Sequence, residues 1–242
     1  LYRTAQGEDV QSKLNELIKE IESNDNIIVH NNTTLESVDG FVGNFKSTLK
    51  NNDKEFELEY GVAVLATGAK AFVPDEYKYG KDSRIITSLD LDKMFKTNDV
   101  DLDRVNSAVF IQCVGSRQPD RPYCSRVCCT HSIDNAIELK ERKPDMDIFI
   151  LYRDIRTYGE RELLYKKARE LGVIFIRYDV DKKPQVRIDN SQLFIRVNDH
   201  VLNKPIEIEA DLLTLAVALV PRKDETLANF FKVPLNDEGF FC

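Results

Sequence analysis

The sequence lacks an apolar run long enough to cross a bilayer. Its longest, Leu212 to Val220, falls far short of the roughly 18 residues a spanning helix needs. A secretory leader is not expected either. There is no basic excess: 34 Lys plus Arg face 41 Asp plus Glu, a formal net charge of −7. Phosphate backbones and anionic membranes need a basic face, so neither is an expected partner. Internal repeats and low-complexity segments are missing too. The expected location is the cytoplasm, without membrane insertion.

What is present suffices for a core. At roughly 150 residues per domain, the 242 residues, 42% hydrophobic and 31% charged, suggest one large or two small domains. The chain opens at Leu1 without Met and stops at Cys242, so it is expected to be a piece of something longer. Residues 8–22 carry Val10, Leu14, Leu17, Ile18 and Ile21 at the spacing of an amphipathic helix. Ile27-Ile28-Val29 suggests a short strand. Residues 33–60 suggest an antiparallel ribbon turning at Asp39-Gly40 and Asn51-Asn52-Asp53. The run Gly61 to Gly68 has the texture of a strand buried on both faces. Residues 73–103 are polar, with a short helix near 89–96, and suggest a crossover between domains.

From 107 the pattern becomes strictly alternating. Strands are expected at 108–112, 147–152 and 173–177, and helices at 124–142 and 159–171, with Gly172 as a C-cap. That is one mononucleotide-binding half of a doubly wound α/β sheet. Further β segments near 184–197 and 205–219 precede a polar tail.

A dinucleotide site would carry Gly-x-Gly-x-x-Gly between the first strand and the first helix, letting backbone approach a pyrophosphate. Here the junction reads Cys113-Val114-Gly115-Ser116-Arg117, then Gln118-Pro119-Asp120-Arg121-Pro122-Tyr123-Cys124. Only Gly115 remains, so ordinary NAD or NADP binding is not expected. Arg153 and Arg156 stand where a 2′-phosphate can be held; without the fingerprint they are expected to be solvated or salt-bridged.

In place of the glycines stand Cys113, Cys124, Cys128 and Cys129. Cys124 and Cys128, four apart on the expected helix, would share a face. Cys113 would come from the strand end, so all four can meet at the carboxyl edge of the sheet. Four thiolates suit an iron–sulfur cluster or a zinc ion. Structural zinc usually uses short Cys-x-x-Cys knuckles, and none occurs here. A Cys113–Cys124 disulfide would leave the vicinal pair unexplained, and four buried structural cysteines remain the plain alternative. His30, His131 and His200 are scattered. His131, just past Cys129, would tune a cluster or, more simply, sit at the surface. The charged helix 159–170 suggests a solvated face, and Cys242 an end effect.

The strings Cys113-Val114-Gly115-Ser116-Arg117, Pro122-Tyr123-Cys124-Ser125-Arg126-Val127-Cys128-Cys129 and Leu151-Tyr152-Arg153-Asp154-Ile155-Arg156-Thr157-Tyr158-Gly159 resemble the A-type subunit of heterodisulfide reductase. They are similar also to flavoprotein subunits of quinone-interacting membrane-bound oxidoreductase complexes. The match is specific between 107 and 178 and looser elsewhere. The resemblance implies a thioredoxin-reductase-like fold carrying FAD, with Cys113, Cys124, Cys128 and Cys129 ligating a [4Fe-4S] cluster near the flavin. It implies electron passage between flavin and clusters, in some members with bifurcation, and partners among the other redox subunits of a complex; a homodimer is compatible with it. It also suggests that Ala66-Thr67-Gly68-Ala69 is the second FAD signature of such proteins. The first FAD glycine motif would lie before Leu1 and the closing flavin contact after Cys242, so FAD is expected in the full-length protein and not in this fragment. The ferredoxin-like module of some members is missing from the short ribbon at 40–60.

The expected architecture is therefore a two-dinucleotide-domain flavoprotein piece. It has a partial FAD-binding domain at 1–103, a Rossmann-like domain with the four-cysteine site at 104–220 and a return segment at 221–242. The expected function is an electron-transferring oxidoreductase subunit, with no general acid, base or nucleophile in this chain and no activity expected of the isolated fragment. A zinc-bound or metal-free docking module and a dithiol–disulfide oxidoreductase are the alternatives.

Overall fold

The computed structural model describes residues 8–242; residues 1–7, the start of the expected 1–103 segment, lie outside them. The chain forms two compact units, one from 8–11 and 71–219, the other from 12–70 and 220–242. Among the described residues no helix is long and apolar enough to cross a membrane.

Helix α1, Val10–Glu22, follows the expected apolar spacing and lies in the second unit from residue 12 on. Strands β1 (Thr33–Phe41), β2 (Asn44–Asn51) and β3 (Lys54–Tyr60) then form an antiparallel meander, as the alternation and turn residues dictate. The second hairpin closes where expected, with Asn51 opposite Lys54. The first closes at Val42-Gly43, with Phe41 opposite Asn44, and Gly40 lies inside β1 at φ +93. A Cβ there would sit 2.1 Å from the Asn44 carbonyl oxygen, so this glycine serves a close strand approach and not a turn.

Two expected strands are corrected. Residues 27–30 and 62–68 run without regular structure, and Val62 and Val64 are 71% and 85% exposed. A strand buried on both faces needs ladder partners on its edges and layers above and below, and among the described residues neither run has them. Strand β4, Ala69–Ala71, follows.

The other unit is built on five parallel strands. They are β5 (Ile85–Thr87), β6 (Ser107–Val114), β7 (Asp147–Tyr152), β8 (Ile174–Arg177) and β12 (Leu212–Val217), in the order β5-β12-β6-β7-β8. Helices α2 (Ser88–Thr97), α3 (Cys128–Arg142) and α4 (Glu162–Glu170) join the sequence of strands. On one face, residues of these helices pack with Ala108, Phe110, Ile148 and Ile150. On the other, an antiparallel meander of β9 (Gln185–Asp189), β10 (Gln192–Asp199) and β11 (Lys204–Ala210) packs with Val109, Ile111, Leu151, Leu213 and Leu215. The fold class thus stands, with a β layer where a fully doubly wound sheet has helices. Central β6 faces both layers, which explains its unbroken apolar run: Ala108, Val109, Phe110 and Ile111 are all fully buried. Each such large apolar side chain contributes about 1.5–3 kcal/mol.

Two elements were not visible in the pattern. Short β5 lies in the polar stretch 73–103 and is recruited by parallel pairing to β12. After β13 (Leu219–Pro221), the expected polar tail forms α5, Glu225–Phe231. Its N-cap Asp224 accepts the Leu227 N–H at 3.0 Å, and Phe231 meets Phe45 edge-on at 5.7 Å between ring centroids.

Candidate metal centre

The strand order sets the site. From β6 the chain crosses through α3 to β7 on one side, while β12 lies on the other. Connections therefore diverge at the carboxyl end of β6, the crevice where open α/β sheets bind ligands. Cys113 stands there, in a left-handed conformation at φ +61, which costs a non-glycine residue about 1–2 kcal/mol. The ladder to β12 slips between Leu215 and Val217 beside it, the kind of irregularity that re-aims a side chain.

The proline-bearing insertion after Cys113 is tied down along its length. Ser116 donates its N–H to the Cys113 carbonyl at 3.3 Å and Arg117 to the Tyr123 carbonyl at 3.0 Å. Gln118 and Arg121 exchange backbone hydrogen bonds around Pro119-Asp120. Arg121 Nε donates to the Gly115 carbonyl at 2.6 Å. Tyr123 donates to the Leu219 carbonyl, and Ser125 Oγ accepts the Leu219 N–H, each at 2.9 Å. Arg153 donates to the carbonyls of Ser116 and Arg117. Arg153 is thus a brace for the loop and not a solvated side chain, whereas Arg156 is salt-bridged to Asp154 at 3.6 Å.

Helix α3 begins at Cys128, four residues later than expected, and its N-cap Val127 supplies no side-chain cap. Cys124 therefore lies in the loop and does not share a helical face with Cys128. Its sulfur accepts the Arg126 N–H at 3.4 Å. Cys128 and Cys129 open the first turn, where uncapped N–H groups give a positive field. Cys128 donates to the Val217 carbonyl at 3.6 Å and Cys129 to the Asp154 carbonyl at 3.7 Å. Arg117 Nη1 points at Cys113 Sγ from 3.9 Å.

All five cysteines are free. Four of them are electrostatic neighbours: Cys128 feels Cys129, Cys113 and Cys124, Cys129 feels Cys113 and Cys124, and Cys113 feels Cys124. Burial is the main force. It pushes Cys128 up to about 12 and Cys129 up to about 11, with the neighbouring thiols adding to the rise at both. Cys113 also moves up by burial, against the pull of Arg117 and Arg153. These are protonated thiols at neutral pH, and a metal would have to displace their protons. Among the described residues no three Cys, His, Asp or Glu side chains are gathered so as to hold one metal ion. The four thiols are neighbours without being drawn to the spacing of a single tetrahedral ion.

Several contributors escape sequence reading. The Phe72 ring packs on Gly115, where an added Cβ would come within 2.2 Å of Cδ1, and the Arg121 guanidinium lies 4.3 Å from its centroid. His131 is no surface residue: its Nε2 is 2.9 Å from Oδ2 of Asp92, whose side chain is 1% exposed, although the two are not aligned as a hydrogen bond. Ala66, Thr67, Gly68 and Ala69 belong to the other unit. Gly68 sits there at φ +70, with open space beside its Cα.

An open parallel sheet with helices on one face and an antiparallel meander on the other is the architecture of flavoprotein reductases with two dinucleotide-binding domains. T. acidophilum thioredoxin reductase matches it with a TM-score of 0.52 at 15% identity, over 95% of this chain and 66% of that one. The HOCl-induced flavoprotein disulfide reductase RclA of Escherichia coli matches at 0.56 and 12%, over 96% and 46%. At such identities the likeness is one of fold alone. In sequence the chain is a relative of the A-type subunit of heterodisulfide reductase. It is 35% identical over 208 residues to the A-type iron–sulfur subunit of the CoB–CoM heterodisulfide reductase of Methanocaldococcus jannaschii, covering 78% of this chain and 31% of that protein. The chain thus spans under a third of the length of this relative. No family model matches it.

Proposed function

We propose that this chain is the part of a flavin and iron–sulfur oxidoreductase subunit that holds a [4Fe-4S] cluster on Cys113, Cys124, Cys128 and Cys129. What supports it is that Cys113 stands at the end of β6, Cys128 and Cys129 open the uncapped start of α3, and Cys124 lies in the loop between, near enough to be felt by the other three. Such a centre, when bound, supplies one-electron transfer. The chain's own contribution is to present sulfurs from the end of β6, the braced loop and the first turn of α3, and to shield Cys113, Cys128 and Cys129 by burial, while the helix N-terminus opposes the cost that burial puts on their thiolates.

Two other readings fare worse. A dithiol oxidoreductase needs a thiol whose pKa is lowered, and Cys128 and Cys129 are raised. Ordinary dinucleotide binding needs open backbone at the turn, and Phe72 covers Gly115. FAD would be held by the longer protein, with Ala66-Thr67-Gly68-Ala69 lending backbone. The partners would be redox subunits of a cytoplasmic complex.

The test is iron and acid-labile sulfide per chain after anaerobic reconstitution, for the parent and for Cys128→Ser. About four of each in the parent, with a marked loss in the variant, is the expected result. Zinc alone, or no metal, overturns the cluster and leaves the docking module.

A further inference from the structure

We propose that Arg117, restrained by Asp154, sets the reduction potential of the centre; this rests on the cluster reading above. Arg117 Nη1 donates to Cys113 Sγ at 3.9 Å. Its other guanidinium nitrogen donates to the Asp154 carboxylate. The backbone carbonyl of the same Asp154 accepts from the protonated Cys129 thiol at 3.7 Å, a bond that deprotonation of Cys129 removes. The contact that remains on a thiolate is the Arg117 cation on Cys113, with Asp154 as its counter-charge.

The placement is fixed by the fold. The Arg117 side chain is 17% exposed. Its backbone sits at φ +56, held by its N–H on the Tyr123 carbonyl and by Arg153 on its own carbonyl. A guanidinium stays charged at every working pH, so it is a permanent positive charge beside the ligand. Four thiolates bring negative charge, and reduction adds one electron while making or breaking no bond. A fixed cation stabilises the more negative, reduced state and so raises the potential; hydrogen bonds to sulfur act in the same direction. Asp154 partly cancels that charge. The two residues therefore have opposite signs of effect, which a purely structural role would not produce.

The experiment is an anaerobic titration with dithionite, followed by the electron paramagnetic resonance of the reduced centre, on the reconstituted 242-residue chain. Arg117→Gln is expected to keep its iron and sulfide and to lower the potential by about 59 mV, a tenfold change in the one-electron equilibrium. Arg117→Lys should fall between variant and parent, because it keeps charge but loses the planar fork. Asp154→Asn should raise the potential. If Arg117→Gln fails to assemble, the Lys and Asn variants decide. A loaded Arg117→Gln at the parental potential overturns the proposal, as does an Asp154→Asn shift that is null or downward. A parent that binds no iron overturns the cluster reading itself, and the Arg117 proposal with it; it is told apart by metal analysis before any titration.

Discussion

Gly115 holds a left-handed φ of +73 and lies under the Phe72 ring. In the sequence it looks like the last survivor of a lost phosphate-binding turn; in the fold it is there because nothing larger fits beneath an aromatic ring. Gly115→Ala should therefore destabilise by on the order of 2 kcal/mol or more, since a misfit methyl and a left-handed alanine each cost about that. Urea denaturation of the metal-free chain measures it, and an unchanged midpoint would mean the ring is not seated there. Other residues at the site were hidden for the same reason, namely that their partners are far away in sequence. Asp92 lies against His131, and Arg153 reaches back to Ser116 and Arg117. The cysteines stand out as candidates because their chemistry is local and unusual. Arg117 and Asp154 do not, because an arginine and an aspartate in a charge-rich sequence carry no mark until a sulfur is seen beside them.

Elements were legible in proportion to how completely their own pattern determined them. Strand β7 falls at the expected 147–152 because its apolar run is bounded by polar residues and buried within the sheet. Helix α3 starts late because backbone bonds of 116–121 and the side chains of Tyr123 and Ser125 commit the preceding loop to other partners. The run 61–68 failed because apolar composition names a need for burial without supplying the neighbours. Helix α2 is marked by both pattern and cap: Thr87 Oγ1 accepts the Asp90 N–H at 3.2 Å while the Asp90 carboxylate accepts the Thr87 N–H at 2.9 Å. That reciprocal pair satisfies two helix-start donors. Thr87→Ala should cost about 1 kcal/mol, read as a lowered denaturation midpoint. Iron uptake should be unchanged, since α2 packs on α3, with Asn135 donating to the Ser88 carbonyl at 3.2 Å, and supplies no ligand. Loss of iron in this variant would show that α2 does more than buttress.

At the scale of the molecule, burial is shared unequally. Both apolar clusters lie in the unit of 71–219, including the fully buried Phe110, Ile111, Ile133, Ile150 and Leu213. In the unit of 12–70 and 220–242, Phe45 is the one buried hydrophobic residue among the described residues, while Leu14, Leu17 and Ile18 stand more than 40% exposed. Local stability follows buried apolar contact, so calorimetry of the metal-free chain should show two transitions, the lower one from the meander and α1. All four candidate ligands lie in the other unit. A group that binds only the folded form stabilises the form it binds, so cluster assembly should raise the upper transition and leave the lower one in place. A lower transition that rises instead would move the ligands, or their support, into the unit of 12–70 and 220–242. A single transition that rises as a whole would show that the two units melt as one.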